Sequence, residues 1–453
     1  MTAPAWARWT LVAITLAAGW SRLPGLAAEE PWFDEAFSII LAAQDLPELW
    51  RRTVADQTNP PGFYLLLWGW TRLGGFDLAW MRLLPALAGL LTVPATALAA
   101  RASGLGWTAA LAAATFAAGS PLLFAMSSEL RAYALVGLLS ALLVAAAAHR
   151  RQALVATLGA GLVMLHYFGA LLVAAVALGR LWRDRRDGRP AILAGLPAAM
   201  LLGGWLLIVR AAAGAGRGIG GNASWIASAG PARFTSFGGE LLATWGTRVG
   251  AVLGALVLAG ALAVALRRAR GPAPELRIAL AAAVAPLAMV IAAELVGGRA
   301  LWINRYLIIT VPAWCLLLAQ LIDALRGRWR ETALAALLTW SALGGIHAER
   351  TRVQKTAWSR VARSLTAGAP RTICTNESYV ALPLRLQAVQ HALPLTVLDL
   401  AECTAATRPS AMLLRPGTER SLDRLRAVGA VPGPARDLGT ALPETRLVPL
   451  RWP

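Results

Sequence analysis

The stretch Trp9–Leu26 (WTLVAITLAAGWSRLPGL) and the motif Pro31–Glu35 (PWFDE) that follows it decide the fold of this chain. A run of 18 mainly apolar residues is long enough to cross the hydrocarbon core of a bilayer as a helix. Adjacent carboxylates just after such a run are expected at the far membrane face, because burying their charges in hydrocarbon is costly. The sequence therefore predicts a membrane protein with an acidic motif at one face.

The composition of the chain excludes an ordinary soluble enzyme. Its 453 residues are 57% hydrophobic and only 15% charged, and the apolar runs are too many and too long for one globular core. The formal net charge of +19 does not indicate nucleic acid, because the basic residues lie between apolar runs, as in cytoplasmic loops. These basic clusters are residues 149–151, 180–189, 267–270 and 326–330. The charge therefore indicates how the chain is oriented in the membrane.

Placing the basic clusters in the cytoplasm predicts an all-α polytopic membrane protein with about eleven transmembrane helices. This domain covers residues 1–347, with a cytoplasmic amino terminus. Residues 28–80 form the first extracytoplasmic loop, which includes interfacial helices such as Gly62–Trp70. The predicted spans are Trp9–Leu26, Arg82–Ala100, Gly106–Met126, Arg131–Ala147, Ala153–Leu165, Phe168–Leu181, Ile192–Val209, Leu241–Leu266, Ile278–Val296, Tyr306–Leu325 and Thr332–Ile346.

Residues 348–453 are predicted to form a small C-terminal extracytoplasmic α/β domain, because the hydropathy falls there and short apolar runs alternate with helix-like stretches. The strand-like runs are Arg371–Thr375, Leu393–Leu398, Ala411–Leu414 and Thr445–Leu450, and the helix-like stretches are Leu382–Ala388 and Ser421–Val428.

Two of the three cysteines, Cys374 and Cys403, fall in this C-terminal domain, whereas Cys315 lies within a predicted span. An oxidising exterior would allow the first two to pair, but a disulfide needs a Cα separation that the sequence does not supply. They are therefore the candidate disulfide. The cysteine and histidine spacings typical of a metal site are absent from the sequence.

Short polar motifs gather at the predicted outer ends of the spans. These motifs are Asp34-Glu35, Asn59-Pro60-Pro61, the stretch Ser127–Tyr133, His166-Tyr167 and Asn304-Arg305-Tyr306. Each motif alone is a weak signal. Their shared face predicts one functional site there.

This order of spans and motifs resembles the GT-C glycosyltransferases, in particular bacterial relatives of the protein O-mannosyltransferases and aminoarabinose transferases. The resemblance covers essentially the whole membrane region. It implies a GT-C-like enzyme in the bacterial inner membrane that moves one sugar from a polyprenyl-phosphate donor to a glycan, lipid or protein acceptor at the extracytoplasmic face. Membrane lipids are the other partners that it implies, and nucleic acid is not one.

The resemblance assigns the catalytic base to Asp34, with Glu35 as its neighbour. The alternative is that both acids only begin an interfacial helix, whose dipole favours negative charge. Glu129 matches a second acidic residue, which could orient an acceptor, and Arg131 matches a nearby basic residue that can clamp phosphate. The alternative for these two is that they pair only with each other, because an arginine near the membrane interior needs a partner.

The later motifs imply further donor contacts. Arg305 and Tyr306 resemble the Arg-Tyr motif of the family, where a donor-phosphate role competes with that of an interfacial anchor. Tyr133 follows Arg131 in the same motif. His166 and Tyr167 resemble a pair seen in bacterial members, although a lone histidine at a span boundary is more often structural.

Asn59 departs from the family pattern, in which His or Lys commonly precedes Pro-Pro. An asparagine offers only neutral hydrogen bonds, which puts its contact with phosphate in doubt. Pro60 and Pro61 are suited to the first turn of a helix.

No cofactor is firmly implied, although the resemblance leaves room for a divalent metal near Asp34 and Glu129. The alternative function is a transporter or flippase of lipid-linked glycans. In that case charges should line a path through the spans, yet Glu240, Glu294 and Asp323 all lie close to span ends.

Overall fold

The computed structural model of the chain describes residues 3–184, 188–212, 232–242, 248–271, 273–298, 300–325, 327–350, 356–366, 371–375, 378–414, 420–437 and 445–453. The chain divides into two compact units. Unit 1 comprises Met1–Leu26 and Gln44–Arg352, and unit 2 comprises Ala27–Ala43 and Val353–Pro453. Part of the predicted first outer loop therefore groups with the C-terminal residues and not with the helices that flank it. The functional division of the chain into 1–347 and 348–453 stays a prediction.

Unit 1 is built of helices, numbered here in chain order with α2 left for unit 2. They are α1 (Ala5–Arg22), α3 (Leu46–Asp56), α4 (Gly62–Gly74), α5 (Leu78–Ala102), α6 (Trp107–Gly119), α7 (Pro121–Ser127), α8 (Tyr133–Ala148), α9 (Gln152–Leu165), α10 (Gly169–Arg183), α11 (Arg189–Ala212), α12 (Ala232–Leu242), α13 (Arg248–Arg270), α14 (Leu276–Gly297), a 3-10 helix (Asn304–Thr310), α15 (Val311–Ala324) and α16 (Arg328–Arg350).

Each predicted span coincides with helical structure, and the predicted interfacial segment is α4. The span predicted at Leu241–Leu266 is helical from Arg248, and its residues 243–247 lie outside the described residues, as do 185–187 of the predicted cytoplasmic loop. By length and composition, four described helical stretches can cross a membrane: α5, α11, α14 and Asn304–Ala324. The bent pair α6 and α7 would make a fifth. The count of about eleven spans stays a prediction.

The bend between α6 and α7 has a local cause. Pro121 lacks a backbone N–H and disfavours helical geometry in the residue before it, so α6 ends and the chain turns by 57°. Ser120 caps the new helix, since its Oγ accepts the backbone N–H of Leu123 at 3.4 Å. The bend places the end of α7 against α5, where a Cβ on Gly89 would lie 2.0 Å from Ser127 Oγ.

Large apolar side chains lie on the surface of unit 1. Trp20 on α1 is 85% exposed and Met200 on α11 is 74% exposed. Only 22% of the most apolar stretch of α11 is buried, against 83% for Asn304–Ala324. Such surfaces are costly in water and favourable in lipid. The chain is therefore a membrane protein.

Unit 2 is a small α/β unit around one sheet. Its helices are α2 (Phe33–Ala42), α17 (Trp358–Thr366), α18 (Ser378–Gln390) and α19 (Arg420–Ala427), and its strands are β1 (Arg371–Thr375), β2 (Leu395–Asp399), β3 (Ala411–Leu414), β4 (Val431–Pro432), β5 (Arg436–Asp437) and β6 (Arg446–Arg451). The sheet order is β2-β1-β3-β6-β4, with β5 also paired to β6. Strands β2, β1 and β3 are parallel, and β6 is antiparallel to its neighbours. The predicted C-terminal sheet is confirmed, and only the two-residue strands β4 and β5 were not foreseen.

The candidate disulfide joins Cys374 at the end of β1 to Cys403 beyond β2, with a Cα separation of 6.2 Å, within the range that a disulfide spans. Both cysteines are buried in a core that includes Met412 and Val448. Cys315 is a buried free thiol on α15. The pair that the sequence analysis offered as the candidate disulfide is therefore the pair that is bonded.

We predict that thiol labelling of the denatured, unreduced protein modifies Cys315 alone. Closing a loop of 29 residues should stabilise unit 2 by about 3.6 kcal/mol in the chain-entropy model. Reduction or the change Cys403→Ser should therefore lower the midpoint of its unfolding transition. Three reactive thiols per unreduced chain would contradict the bridge.

Candidate active site

Arg131 lies in the short connection between α7 and α8, where its backbone N–H donates to the carbonyl oxygen of Glu129 at 2.7 Å. Its side chain is buried, and Nη1 donates to the hydroxyl of Tyr64 at 3.2 Å. Helix α4 supplies Tyr64 and begins very close to α9, because a Cβ on Gly62 would lie 2.5 Å from the carbonyl oxygen of Met164. This close approach holds the buried tyrosine at the guanidinium.

His166 lies between α9 and α10 and is buried. Its Nδ1 accepts the backbone N–H of Phe168 at 3.1 Å, and its carbonyl oxygen accepts the N–H of Gly169 at 2.8 Å. Because Nδ1 is an acceptor, the neutral ring carries its proton on Nε2. The break between the two helices therefore holds the imidazole in one orientation and one tautomer.

Arg305 lies on the 3-10 helix that precedes α15. Its Cζ is 5.9 Å from the centre of the Tyr133 ring and 5.7 Å from that of Tyr306. Contacts of this kind stabilise a cation by about 0.5–2 kcal/mol, the more so where water is excluded. The Tyr306 ring also lies 4.8 Å from the His166 ring, and Phe168 contacts both, at 5.2 Å from Tyr306 and 5.6 Å from His166.

These contacts assemble residues from five parts of unit 1 into what we call the arginine–aromatic cluster. Its members are Tyr64, Arg131, Tyr133, His166, Phe168, Arg305 and Tyr306. Burial, and then the positive charges of Arg131 and Arg305, lower the pKa of His166 to about 3. The imidazole is thus neutral at physiological pH. Two guanidinium groups beside a neutral ring and aromatic faces are groups that can bind an anion with an attached apolar or sugar group.

The segment that leads into the 3-10 helix is anchored by side chains that the sequence analysis did not assign. Asn304 Nδ2 donates to Glu240 Oε1 and to Ser236 Oγ, both at 2.9 Å, and its Oδ1 accepts from Trp302 Nε1 at 3.0 Å. Burial raises the pKa of Glu240, and the hydrogen bond from Asn304 opposes that rise. Asn304 thus contacts α12, and Arg305 follows it directly.

A second acid holds the backbone of the same segment. Glu294 on α14 accepts the backbone N–H groups of Leu301 and Trp302, both at 2.7 Å, and pairs with Arg233 on α12. Helices α12 and α14 therefore hold the segment that leads to Arg305 and fix its position. Acids near span ends were noted in the sequence, but nothing local showed that they face this segment.

Tyr167 does not join the cluster, although it adjoins His166 in sequence. Its hydroxyl donates to the carbonyl oxygen of Gln57 at 3.1 Å and accepts from Trp205 Nε1 at 3.0 Å. It packs against Val54 and Val209. Tyr167 thus links α11 to the chain after α3, and its role toward a substrate stays a prediction.

The Asn59-Pro60-Pro61 motif leads into α4. Pro61 is the residue before the helix, and its carbonyl oxygen accepts the N–H of Leu65 at 3.0 Å. The prolines therefore do lie at a helix start, as expected. Asn59 is half-buried on the preceding loop, and its role toward a substrate stays a prediction.

Asp34 and Glu35 occupy the first turn of α2, in unit 2. Glu35 is fully buried and Asp34 is half-buried. Trp32 precedes the helix in an extended conformation and offers no side-chain cap, so the negative charges of the first turn are placed favourably in the helix dipole. The acids thus begin a helix, as the alternative interpretation required, and their catalytic role stays a prediction.

The divalent metal expected near Asp34 and Glu129 also stays a prediction. In the part of the chain that the structure describes, no group of three or more His, Cys, Asp and Glu side chains is arranged to hold a metal ion.

Two members of the cluster, Tyr64 and Phe168, were missed by sequence reasoning. A weak signal existed for both, since Tyr64 follows the Pro-Pro motif by three residues and Phe168 follows His166-Tyr167 directly. Aromatic residues are common at membrane interfaces, however, so their presence there did not indicate a site.

We predict that the imidazole of His166 stays neutral, with its proton on Nε2, down to about pH 4.5, because its pKa is near 3. The unfolded chain has a histidine pKa of about 6.5. The stability that neutral His166 contributes is therefore fully present above about pH 6.5 and is lost as the pH falls toward 3. Nitrogen NMR of histidine-labelled protein measures this, with the signal assigned by its loss in His166→Gln. Protonation of His166 with a midpoint near pH 6.5 would show that its ring is neither buried nor close to Arg131 and Arg305.

The fold of this chain is similar to that of several solved structures. No protein-family model matches the chain, and no curated protein matches it in sequence. Among solved structures, the aminoarabinose transferase ArnT from Cupriavidus metallidurans in the apo state is similar, with a TM-score of 0.63 and 15% identity over 99% of this chain and 98% of that chain. The structure of the same protein bound to undecaprenyl phosphate has a TM-score of 0.61 and 14% identity, over 99% of this chain and 98% of that chain.

The Archaeoglobus fulgidus oligosaccharyltransferase tethered with an acceptor peptide gives a TM-score of 0.58 and 13% identity over 93% of this chain and 70% of that chain. These structures are members of the GT-C superfamily. At such low identity the likeness shows the fold alone. The expected resemblance of this chain to GT-C proteins is thereby confirmed at the level of fold.

Proposed function

We propose that this chain is a GT-C-type glycosyltransferase that moves one sugar from a polyprenyl-phosphate carrier to an acceptor at the extracytoplasmic face of the bacterial inner membrane. The observation that carries the proposal is the arginine–aromatic cluster, found within a fold shared with ArnT. The C. metallidurans ArnT binds undecaprenyl phosphate, and a ligand of that class fits the charge of the cluster.

The donor phosphate is assigned to Arg131 and Arg305. A guanidinium can donate two parallel hydrogen bonds to phosphate oxygens, which fixes orientation as well as charge. Both groups act on the same imidazole, which stays neutral, so both arginines lie near one another at the proposed phosphate site. Tyr133 and Tyr306 border the guanidinium of Arg305 and can contact the sugar or the first carbons of the lipid.

In the proposed reaction the acceptor hydroxyl oxygen attacks the anomeric carbon of the sugar. The bond from that carbon to the phosphate oxygen breaks, and its electron pair leaves with the polyprenyl phosphate. The hydroxyl proton passes to the carboxylate of Asp34 as general base. The guanidinium groups stabilise the negative charge that grows on the departing phosphate. Glu35 supports Asp34, and Glu129 orients the acceptor.

The proposal of an enzyme is favoured over that of a transporter by what the acids near span ends do. Glu240 and Glu294 hold the segment before Arg305, and Asp323 accepts from Arg268 Nη2 at 2.8 Å. A transport path requires acids that face a route through the membrane. These acids instead bind protein groups.

Orientation is tested by reporter fusions. The proposal places residues 183–189 in the cytoplasm and residues 348–453 outside, because the basic clusters lie on the other side from the polar motifs. Alkaline phosphatase should be inactive when fused after Asp187 and active when fused after Pro453. The reverse at either position would contradict the orientation.

Two kinds of variant should differ kinetically. Asp34→Asn keeps the shape of the side chain but cannot accept the proton, so transfer should fall by about 10²–10⁴-fold. Its affinity for undecaprenyl phosphate should stay unchanged. Arg131→Ala and Arg305→Ala should weaken that affinity by about 10- to 100-fold, the effect of losing a charge-assisted hydrogen bond, and should also lower turnover.

Each kind of variant has a matched control. Arg72 lies in unit 1, as do Arg131 and Arg305, and Asp45 lies in the predicted first outer loop, as does Asp34. Arg72 is an arginine of α4 whose guanidinium lies 4.8 Å from the centre of the Trp68 ring, and Arg72→Ala should leave lipid affinity unchanged. Asp45 caps α3 by accepting the N–H of Glu48 at 2.8 Å, and Asp45→Asn keeps a good cap. A folded Asp34→Asn protein with near wild-type transfer would refute the base, and unchanged lipid affinity in both cluster variants would refute the phosphate site.

The reaction class is tested by mass spectrometry of envelope glycans from strains with and without the protein. Loss of one defined sugar from an otherwise complete glycan is expected. Accumulation of the whole lipid-linked glycan, with no single sugar missing, would instead support the transporter.

A further inference from the structure

The segment that carries Asp34 is bound to the C-terminal part of unit 2 by a contact between residues 329 positions apart. Glu30 Oε2 accepts the backbone N–H of Ser359 at 2.7 Å, and its Oε1 accepts the hydroxyl of the same serine. Ser359 is buried. Glu30 lies three residues before Phe33, where α2 begins.

The contact has a clear physical reason. Ser359 is the second residue of α17, and the N–H groups in the first turn of a helix have no acceptor within that helix. The carboxylate of Glu30 accepts one of them and lies at the positive end of the helix dipole. Because the acceptor is charged, these hydrogen bonds are stronger than neutral ones.

Helix α2 is held at a second place as well. It packs on α18, whose Val380 and Leu384 belong to the same core as Trp358 of α17. On α2, Ala36 and Ile39 are buried one turn apart. The start of α2 and its body are therefore attached to two helices that share one core.

We propose that Glu30 and Ser359 are positioning residues, through which the C-terminal domain sets the place of Asp34 on α2. The inference rests on the proposed function, in which Asp34 takes the acceptor proton. A general base must lie within hydrogen-bond reach of that proton, and a misplacement of about 1 Å can cost about 100-fold in rate. The C-terminal domain then takes part in catalysis by holding the helix that carries Asp34.

The test compares Ser359→Ala with Ser359→Thr, which keeps the hydroxyl, and with Ser364→Ala as control. Ser364 lies on the same helix and donates to the carbonyl oxygen of Val361 at 2.7 Å, within α17. Hydrogen exchange of the full-length protein in detergent should be about 5- to 30-fold faster over residues 29–42 in Ser359→Ala, as expected for the loss of such a hydrogen bond. The threonine and control variants should exchange like wild type. Glu30→Gln, which removes the charge, should show a smaller increase.

Transfer is measured by adding purified protein to solubilised membranes of a deletion strain, which retain the unused donor, and following the transferred sugar by mass spectrometry. Ser359→Ala should lower the maximal transfer rate by about 10- to 100-fold. Its affinity for undecaprenyl phosphate should equal that of wild type. In an Asp34→Asn background the same change should have no further effect on the rate, because both act through one step.

The outcomes separate this inference from the proposed function. Unchanged exchange over residues 29–42 would overturn the contact, and faster exchange with an unchanged maximal rate would overturn its role in positioning. An additive loss of rate in the Asp34→Asn background would also overturn it. Near wild-type transfer by Asp34→Asn alone would instead refute the proposed base, whatever the exchange data show.

Discussion

Helix ends near a bilayer impose the constraint on which the rest of unit 1 depends. The last carbonyl oxygens of a helix have no partner within it, and lipid offers no donor. Buried arginines supply that donor here. Arg22 Nη2 donates to the carbonyl oxygen of Ala118 near the end of α6 at 2.7 Å, and Arg183 Nη1 donates to that of Ala147 near the end of α8 at 3.0 Å. Arg183 belongs to one of the basic clusters that indicate orientation in the sequence, so that residue also joins neighbouring helices.

The same scarcity of water explains the form of the candidate site. Burial of the imidazole, and then the positive charges of the two arginines, disfavour its protonation, so the ring stays neutral and accepts a backbone N–H. The guanidinium of Arg131 donates to a tyrosine hydroxyl, and that of Arg305 lies beside two aromatic rings. These contacts help to hold the two cations in place. A cluster of this kind is suited to a phosphate that must bind and then leave.

The chemistry proposed for this chain depends on two separately held parts. The cations are fixed by close helix approaches, such as that of Gly62 to α9, and by the acids that hold the segment before Arg305. The proposed base is carried by a helix that packs on α18 and that follows the contact between Glu30 and Ser359, both in unit 2. In the proposed mechanism, different residues therefore serve donor binding and proton transfer.

The sequence by itself determined the membrane class, the positions of the helices and most of the sheet, because hydropathy and strand length are local properties. Strands β1 and β3 match their predicted bounds, and the cysteine pair was narrowed to the correct two. The sequence also placed most of the polar motifs that form the cluster. What only the tertiary structure decided is which side chains meet. Between α9 and α10, two residues that are adjacent in sequence contact different parts of unit 1. His166 therefore joins the cluster and Tyr167 does not. The helix that carries Asp34 groups with residues more than 300 positions away. Its partners are set by core packing and by the N-terminus of α17, whose first N–H groups need an acceptor outside that helix. No local sequence pattern shows either contact.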